Sequence, residues 1–173
     1  MYVRKIAFIS IMSSLGVVSR VLLTVIPNVS LVAPISLVAG YLGGGFVGFL
    51  VGLLTMVISD IYIGAGPWTI VTSFSMGLVG LFGGLLIRRV KDVYTMFVLS
   101  FLSILLYDLL TSIVTMYIFG VPPFIAVINL FTPVFIGFLP YPMGPIHEFS
   151  SSIIFLYLIR YLSRYPSIFE VFR

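Results

Sequence analysis

Five apolar stretches, covering about residues 5–27, 46–63, 68–87, 93–119 and 144–163, are each close to the roughly twenty residues a helix needs to cross a hydrocarbon core. A sixth, about 32–43, is short for a span, and Gly43-Gly44-Gly45 would turn it tightly into the next. The chain is 61% hydrophobic and 8% charged, which lies far outside globular composition. No polar stretch is long enough for a second, soluble domain. The expected fold is therefore all-α: a polytopic membrane protein, a compact bundle of six transmembrane helices, forming one domain over 1–173.

Charge placement sets the expected topology. The basic residues fall in three groups: Arg4 and Lys5; Arg88, Arg89 and Lys91; Arg160, Arg164 and Arg173. Six spans with both termini cytoplasmic place all three groups inside, as the positive-inside rule requires. The net charge of +4 is split among helix ends rather than gathered on a face, so it does not point to nucleic acid. The start Met1-Tyr-Val-Arg-Lys imitates a signal peptide. Its apolar run is too long, no small-x-small cleavage site follows and Arg20 interrupts it, so a retained first span is expected. The segment 122–140 is apolar but cut by Pro122, Pro123, Pro133 and Pro140; a broken or short helix on the outer side is expected.

Apart from the basic clusters, the tail and Asp92 at a cluster's edge, the ionisable residues are Arg20, Asp60, Asp108, Glu148 and His147. At 1.5 Å per residue, Arg20 lies roughly 22 Å above Lys5, and Asp60 roughly 22 Å above the Gly45 turn. Asp108 lies roughly 24 Å above Asp92, and Glu148 roughly 24 Å above Arg164. In a core about 30 Å thick, four helices thus bring charge to one level in its outer third. Intramembrane charge at matched depth is the signature of a small-molecule pocket. A structural ion pair between Arg20 and one carboxylate stays open, but three carboxylates against one arginine do not balance, so some are protonated or a ligand supplies donors. His147 at a helix start is expected as a hydrogen-bonding fixture rather than a pH reporter.

Hydroxyls follow the same faces. Asp108, Thr111, Ser112 and Thr115 form one stripe; Thr69, Thr72 and Ser73 another; Glu148, Ser151 and Ser152 a third. Their expected role is interhelical glue. The outer loops Ile26-Pro27-Asn28-Val29-Ser30-Leu31 and Gly64-Ala65-Gly66-Pro67-Trp68-Thr69 look built to close over a ligand. Tyr62, Trp68, Tyr107 and Tyr141 suit stacking on a flat ring, with an interfacial aromatic belt the open alternative. Gly44, Gly48 and Gly52, and Gly80 and Gly84, recur at four-residue spacing and predict close helix contacts. Ala7, Ser10 and Ser14 share a face roughly 100° from that of Ser13 and Arg20, so the first helix can serve a pocket and a second surface, or simply pack within the bundle.

Enzyme motifs fail. His147-Glu148-Phe149-Ser150-Ser151 begins like a zinc-protease helix, but serine stands where the second histidine belongs and the chain has no other. Without cysteine there are no disulfides, thiolate metal sites or cysteine nucleophiles. There is no Walker lysine loop, so the chain cannot itself hydrolyse ATP. No metal site and no resident cofactor are expected.

The opening Arg4-Lys5-Ile6-Ala7, the stretch from Arg20 to Ser30 ending Ile-Pro-Asn-Val-Ser, Gly64-Ala-Gly-Pro-Trp-Thr69, and Pro145-Ile-His147 resemble the substrate-binding S components of energy-coupling-factor (ECF) transporters. The likeness extends over nearly the whole chain. It implies a multi-pass cell-membrane protein that captures a vitamin or related micronutrient at the outer side. Such a subunit docks on a transmembrane coupling subunit driven by two ATPase subunits and topples to release substrate inside. The family's first helix carries an Ala-x-x-x-Ala contact motif; Ser10 and Ser14 occupy the matching positions here, beside Ala7. On this reading Arg20 holds an anionic or carbonyl group. Asp60, Asp108 and Glu148, with His147 beside them, accept donors or fix Arg20, and Trp68 and Asn28 line the lid. Two rivals remain: a scaffold resembling the rod-shape morphogenesis membrane proteins, and a self-sufficient proton-coupled carrier.

Overall fold

The computed structural model describes residues 2–26, 29–136 and 139–165; for Tyr2, 134–136 and 139–143 only the backbone is described. Helix α1 spans Tyr2–Leu22, followed by a 3-10 turn at Leu23–Val25; α2 spans Val32–Gly43, α3 Gly45–Ile63 and α4 Trp68–Leu85. A second 3-10 turn at Ile87–Arg89 leads to α5, Val93–Ile118, then α6, Pro123–Phe131, strands β1, Pro133–Ile136, and β2, Leu139–Pro142, and finally α7, Met143–Leu162. Four helical runs, Val3–Val25, Gly45–Ile63, Trp68–Arg89 and Val93–Ile118, are long and apolar enough to cross a membrane.

The short second helix is the centre of the bundle. Residues from Val32 to Gly40 are all buried, as is Leu42, which explains why its sequence is apolar all round rather than on one stripe. Twelve residues rise only about 18 Å, less than a hydrocarbon core, but protein surrounds them. Ser30 starts the helix by accepting the Val32 N–H on its Oγ (3.1 Å), and Pro34 sits in the first turn, where its missing N–H costs nothing.

One residue, Gly44, links α2 to α3. Its φ of 96° lies where only glycine is unstrained, so the chain reverses without a loop. The two helices then meet α4 backbone to backbone. A Cβ on Gly48 or on Gly80 would collide with the main chain of the other, and one on Gly40 would meet the Gly80 carbonyl. Hydrophobic driving force is absent between helices in lipid, so this close approach, and the dispersion it gains, holds the three together. The predicted glycine contacts are those seen.

These contacts also orient the elements. Helices α3 and α4 run antiparallel, since Gly45 faces Leu81 and Leu85 while Gly52 faces Met76. Helix α1 runs parallel to α3, with Gly16 against Thr55 and Arg20 against Asp60. The start of α1, the start of α3, the end of α4 and the start of α5 therefore share one end of the bundle. Phe155 of α7 packs on Tyr41 near the end of α2, which brings the last turn of α7 to that same end. The basic residues Arg4, Lys5, Arg88, Arg89, Lys91, Arg160 and Arg164 thus gather there. Asp92 caps α5 at this end, its side chain accepting the Thr95 N–H at 2.7 Å.

The proline-cut segment divides in two. Pro122 and Pro123 open α6, and the helix stops before Thr132-Pro133 because a residue preceding proline is pushed out of the helical region. Instead of continuing as a broken helix, the chain forms an antiparallel hairpin with Val134 paired to Tyr141. The expectation of a short helix over 122–140 holds only for its first half.

Candidate substrate-binding site

At the end opposite the basic residues, a cavity of about 440 Å³ opens between the last turn of α1, the middle of α3, α4 and α5, and the start of α7. Its polar wall includes Arg20, Thr24, Asp108, Thr111, Ser112 and His147. Its apolar wall includes Met56, Met76, Tyr107 and Leu130. Ile26, Val29 and Ser30 line it from the segment joining α1 to α2.

Arg20 is held from behind. Its Nη1 donates to Asp60 Oδ1 at 2.6 Å and to Ser59 Oγ at 2.5 Å. The Ser59 hydroxyl donates its own proton to the Thr55 carbonyl (2.7 Å), which leaves a lone pair for the guanidinium. Asp60 is only 1% exposed and does not line the cavity. A guanidinium carries five N–H donors, so donors remain beyond those that Nη1 gives to Ser59 and Asp60.

A second pair crosses from α5 to α7. Asp108 Oδ2 lies 2.7 Å from His147 Nδ1, and both residues are buried in the protein while touching the cavity. The imidazole engages one carboxylate oxygen, Oδ2, and Asp108 itself lines the cavity. The ring of Tyr107 stands edge-on to His147 at 6.0 Å.

Other expected residues stand elsewhere. Glu148 follows His147 but is turned about 100° away around the helix. It is buried at 1% exposure, lines no part of the cavity, and neither carboxylate oxygen has a hydrogen-bond partner among the described residues. Trp68 lies against Phe119, ring centroids 6.3 Å apart, and outside the cavity lining. Tyr62 is 76% exposed on the outside of the bundle. Asn28 falls outside the described residues, as does the side chain of Tyr141. Among the hydroxyls of the three stripes, Thr72 and Thr111 donate to carbonyls of their own helices, and Ser73 and Ser152 have no hydrogen-bond partner among the described residues. Ser151 of the third stripe does cross between segments, donating to the Ser30 carbonyl at 3.4 Å, as do Thr55 to the Ser13 carbonyl at 3.4 Å and Ser59 in accepting from Arg20.

Met56 and Met76 are cavity residues that charge and stripe arguments missed. Met56 is one turn below Asp60, and Met76 one turn below Thr72, so spacing from the polar positions could have pointed to them.

On α1, Ala7, Ser10 and Ser14 are exposed while Ser13, Gly16 and Ser19 are buried. Ser10, Ile11, Ser14, Leu15 and Val18 form a shallow groove on the exposed side. The first helix does present two faces.

A model of the family described as "ECF-type riboflavin transporter, S component" matches residues 1–164. The chain belongs to that family. ECF S components are membrane-embedded, substrate-binding transporter subunits and not enzymes, in keeping with the failed catalytic motifs. Membership favours the transporter-subunit reading over the scaffold and the self-sufficient carrier. No curated protein and no solved structure gave a match.

Proposed function

We propose that this S component captures riboflavin, or a vitamin with the same kind of ring edge, in the cavity between Arg20, Tyr107 and Asp108. The observation that carries the proposal is the cavity's pairing of a fixed donor, Arg20, with a fixed acceptor, Asp108, between methionine and tyrosine walls. The pyrimidine edge of a flavin presents an N–H beside carbonyls, which calls for one acceptor and one donor at the same rim. Met56, Met76 and Tyr107 offer the polarizable surfaces on which a flat ring rests. At about 440 Å³ the cavity falls within the roughly 300–1,000 Å³ of small-molecule sites.

Each residue then has a role. Arg20 donates to a ligand carbonyl, with Asp60 and Ser59 fixing its direction. Asp108 accepts the ligand N–H through the oxygen His147 leaves free, and His147 holds Asp108 in place. Thr111 and Ser112 reach the sugar-like hydroxyls. Trp68 and Glu148 act on the shell around the site, and Asn28 belongs to the segment that covers it.

The membrane arrangement follows from charge. The whole chain, 1–173, forms one domain of six spans with both termini cytoplasmic, so the basic end faces the cytoplasm and the cavity faces outward. The exposed face of α1, with Ala7, Ser10 and Ser14, docks on the coupling subunit, and two ATPase subunits supply ATP hydrolysis. Small side chains there let a partner helix approach closely.

The test is mass spectrometry of small molecules co-purifying with the detergent-extracted chain, beside Arg20→Ala. One flavin per chain, lost in the variant, is expected. A different stoichiometric metabolite would refute the flavin assignment, and no Arg20-dependent metabolite after growth with excess riboflavin would refute the site.

A further inference from the structure

At the basic end of the bundle a second cavity, of about 630 Å³, lies between the end of α2, the start of α5 and the second half of α7. Its walls are mostly apolar: Met96, Ile153, Leu156 and Ile159, with Val90 and Val93. Its rim is not. Lys91 and Arg160 both line it, with Ser163 beside them. Both cations are exposed, and among the described residues neither has a carboxylate within ion-pairing distance. The nearest acid in sequence, Asp92, is committed to Thr95.

The groove opens sideways as well as endways. Tyr157, Val93 and Ile153 line it and are 68%, 60% and 57% exposed. On a membrane-embedded chain that exposure is to lipid. From Arg160 back to Ile153 the α7 wall descends roughly 10 Å toward the bilayer centre. The site thus pairs two cations that have no carboxylate partner among the described residues with an apolar groove running inward from them, which is the shape and charge pattern of one phospholipid with an anionic head.

We propose that this groove binds a single anionic phospholipid of the phosphatidylglycerol class, its phosphate between Lys91 and Arg160 and one acyl chain along Leu156 and Ile153. Charge complementarity selects the occupant. A zwitterionic lipid brings its own cation to the head group and loses most of the attraction, whereas a net-anionic head keeps it. Tyr157 and Tyr161 sit at the depth where aromatic rings flank head groups. The site is separate from the vitamin cavity at the opposite end and does not depend on the substrate assigned there.

The test is native mass spectrometry of the full chain after exchange into mixed micelles containing phosphatidylglycerol or phosphatidylcholine. One phosphatidylglycerol per chain is expected to survive, with phosphatidylcholine retained at least ten-fold less. Lys91→Ala with Arg160→Ala should lower phosphatidylglycerol occupancy at least ten-fold. Arg4→Ala with Lys5→Ala removes equal charge from the same end and should leave occupancy unchanged. Excess inorganic phosphate should not displace the lipid. Since both rim residues are exposed, the variants should remain monodisperse; Lys91→Gln with Arg160→Gln provides the same comparison if the alanine pair does not. Equal retention of both lipids, equal loss in the Arg4/Lys5 variant, or displacement by phosphate alone would overturn the proposal. So would an empty groove that becomes protected only when coupling subunit is added.

Discussion

Arg20 Nη1 and Asp60 Oδ1 lie 2.6 Å apart, joining the last turn of α1 to the last turns of α3. Asp60 is sealed in the protein while Arg20 remains about a quarter exposed, so the pair points one way: the carboxylate anchors and the guanidinium presents. Removing one partner of a buried pair strands the other, at a cost of about 3 kcal/mol. Asp60→Asn should therefore lower both thermal stability and ligand affinity. Arg20→Ala should weaken binding roughly 10- to 150-fold, the worth of about 1.5–3 kcal/mol for hydrogen bonds from a charged group. Thermal unfolding and ligand titration of the same preparations separate the two effects.

Asp108 and His147 make the second cross-helix pair. If His147 acts through Asp108, the two should not be additive. Asp108→Asn and His147→Ala should each weaken binding, and the double variant should be little worse than the stronger single. The cycle should return a coupling of at least about 0.5 kcal/mol. Additive losses would mean that the residues serve the ligand independently.

The α3–α4 seam leaves no room for side chains. Gly80→Val should disrupt it, because even a Cβ meets the Gly48 main chain. Overpacking of this kind costs typically about 1–3 kcal/mol, and backbone contact puts this site at the upper end. Ile61→Ala, at a position 71% exposed to lipid, should leave stability unchanged. A thermal-shift comparison in detergent checks both.

The exposed face of α1 should matter only in the assembled transporter. Ser10→Trp and Ser14→Trp fill the groove between Ile11, Leu15 and Val18 without touching the cavity. Ligand binding by the isolated subunit should be unchanged. ATP-dependent uptake in liposomes containing the coupling and ATPase subunits should fall at least ten-fold.

Depth was legible in the sequence and rotation was not. Helical rise puts Arg20, Asp60, Asp108 and Glu148 at one level with His147 beside the last, and the structure pairs Arg20 with Asp60 and Asp108 with His147. Which way each side chain points depends on packing that no single helix encodes. Glu148 was grouped with the charges by depth, yet one residue of rotation takes it out of the cavity that His147 enters. Trp68 shared the right depth but turns onto Phe119. The glycine repeats were readable because a missing side chain means the same thing from any direction. The second half of 122–140 was not readable as a hairpin, because its prolines mark where a helix must stop without specifying what replaces it.

The most direct test of the central claim is a riboflavin titration of the purified chain, followed by quenching of flavin fluorescence, beside Arg20→Ala and Asp108→Ala. The account predicts saturable quenching at one flavin per chain, with the affinity of each variant at least ten-fold weaker. Quenching that does not saturate, or that is unchanged in both variants, would contradict it.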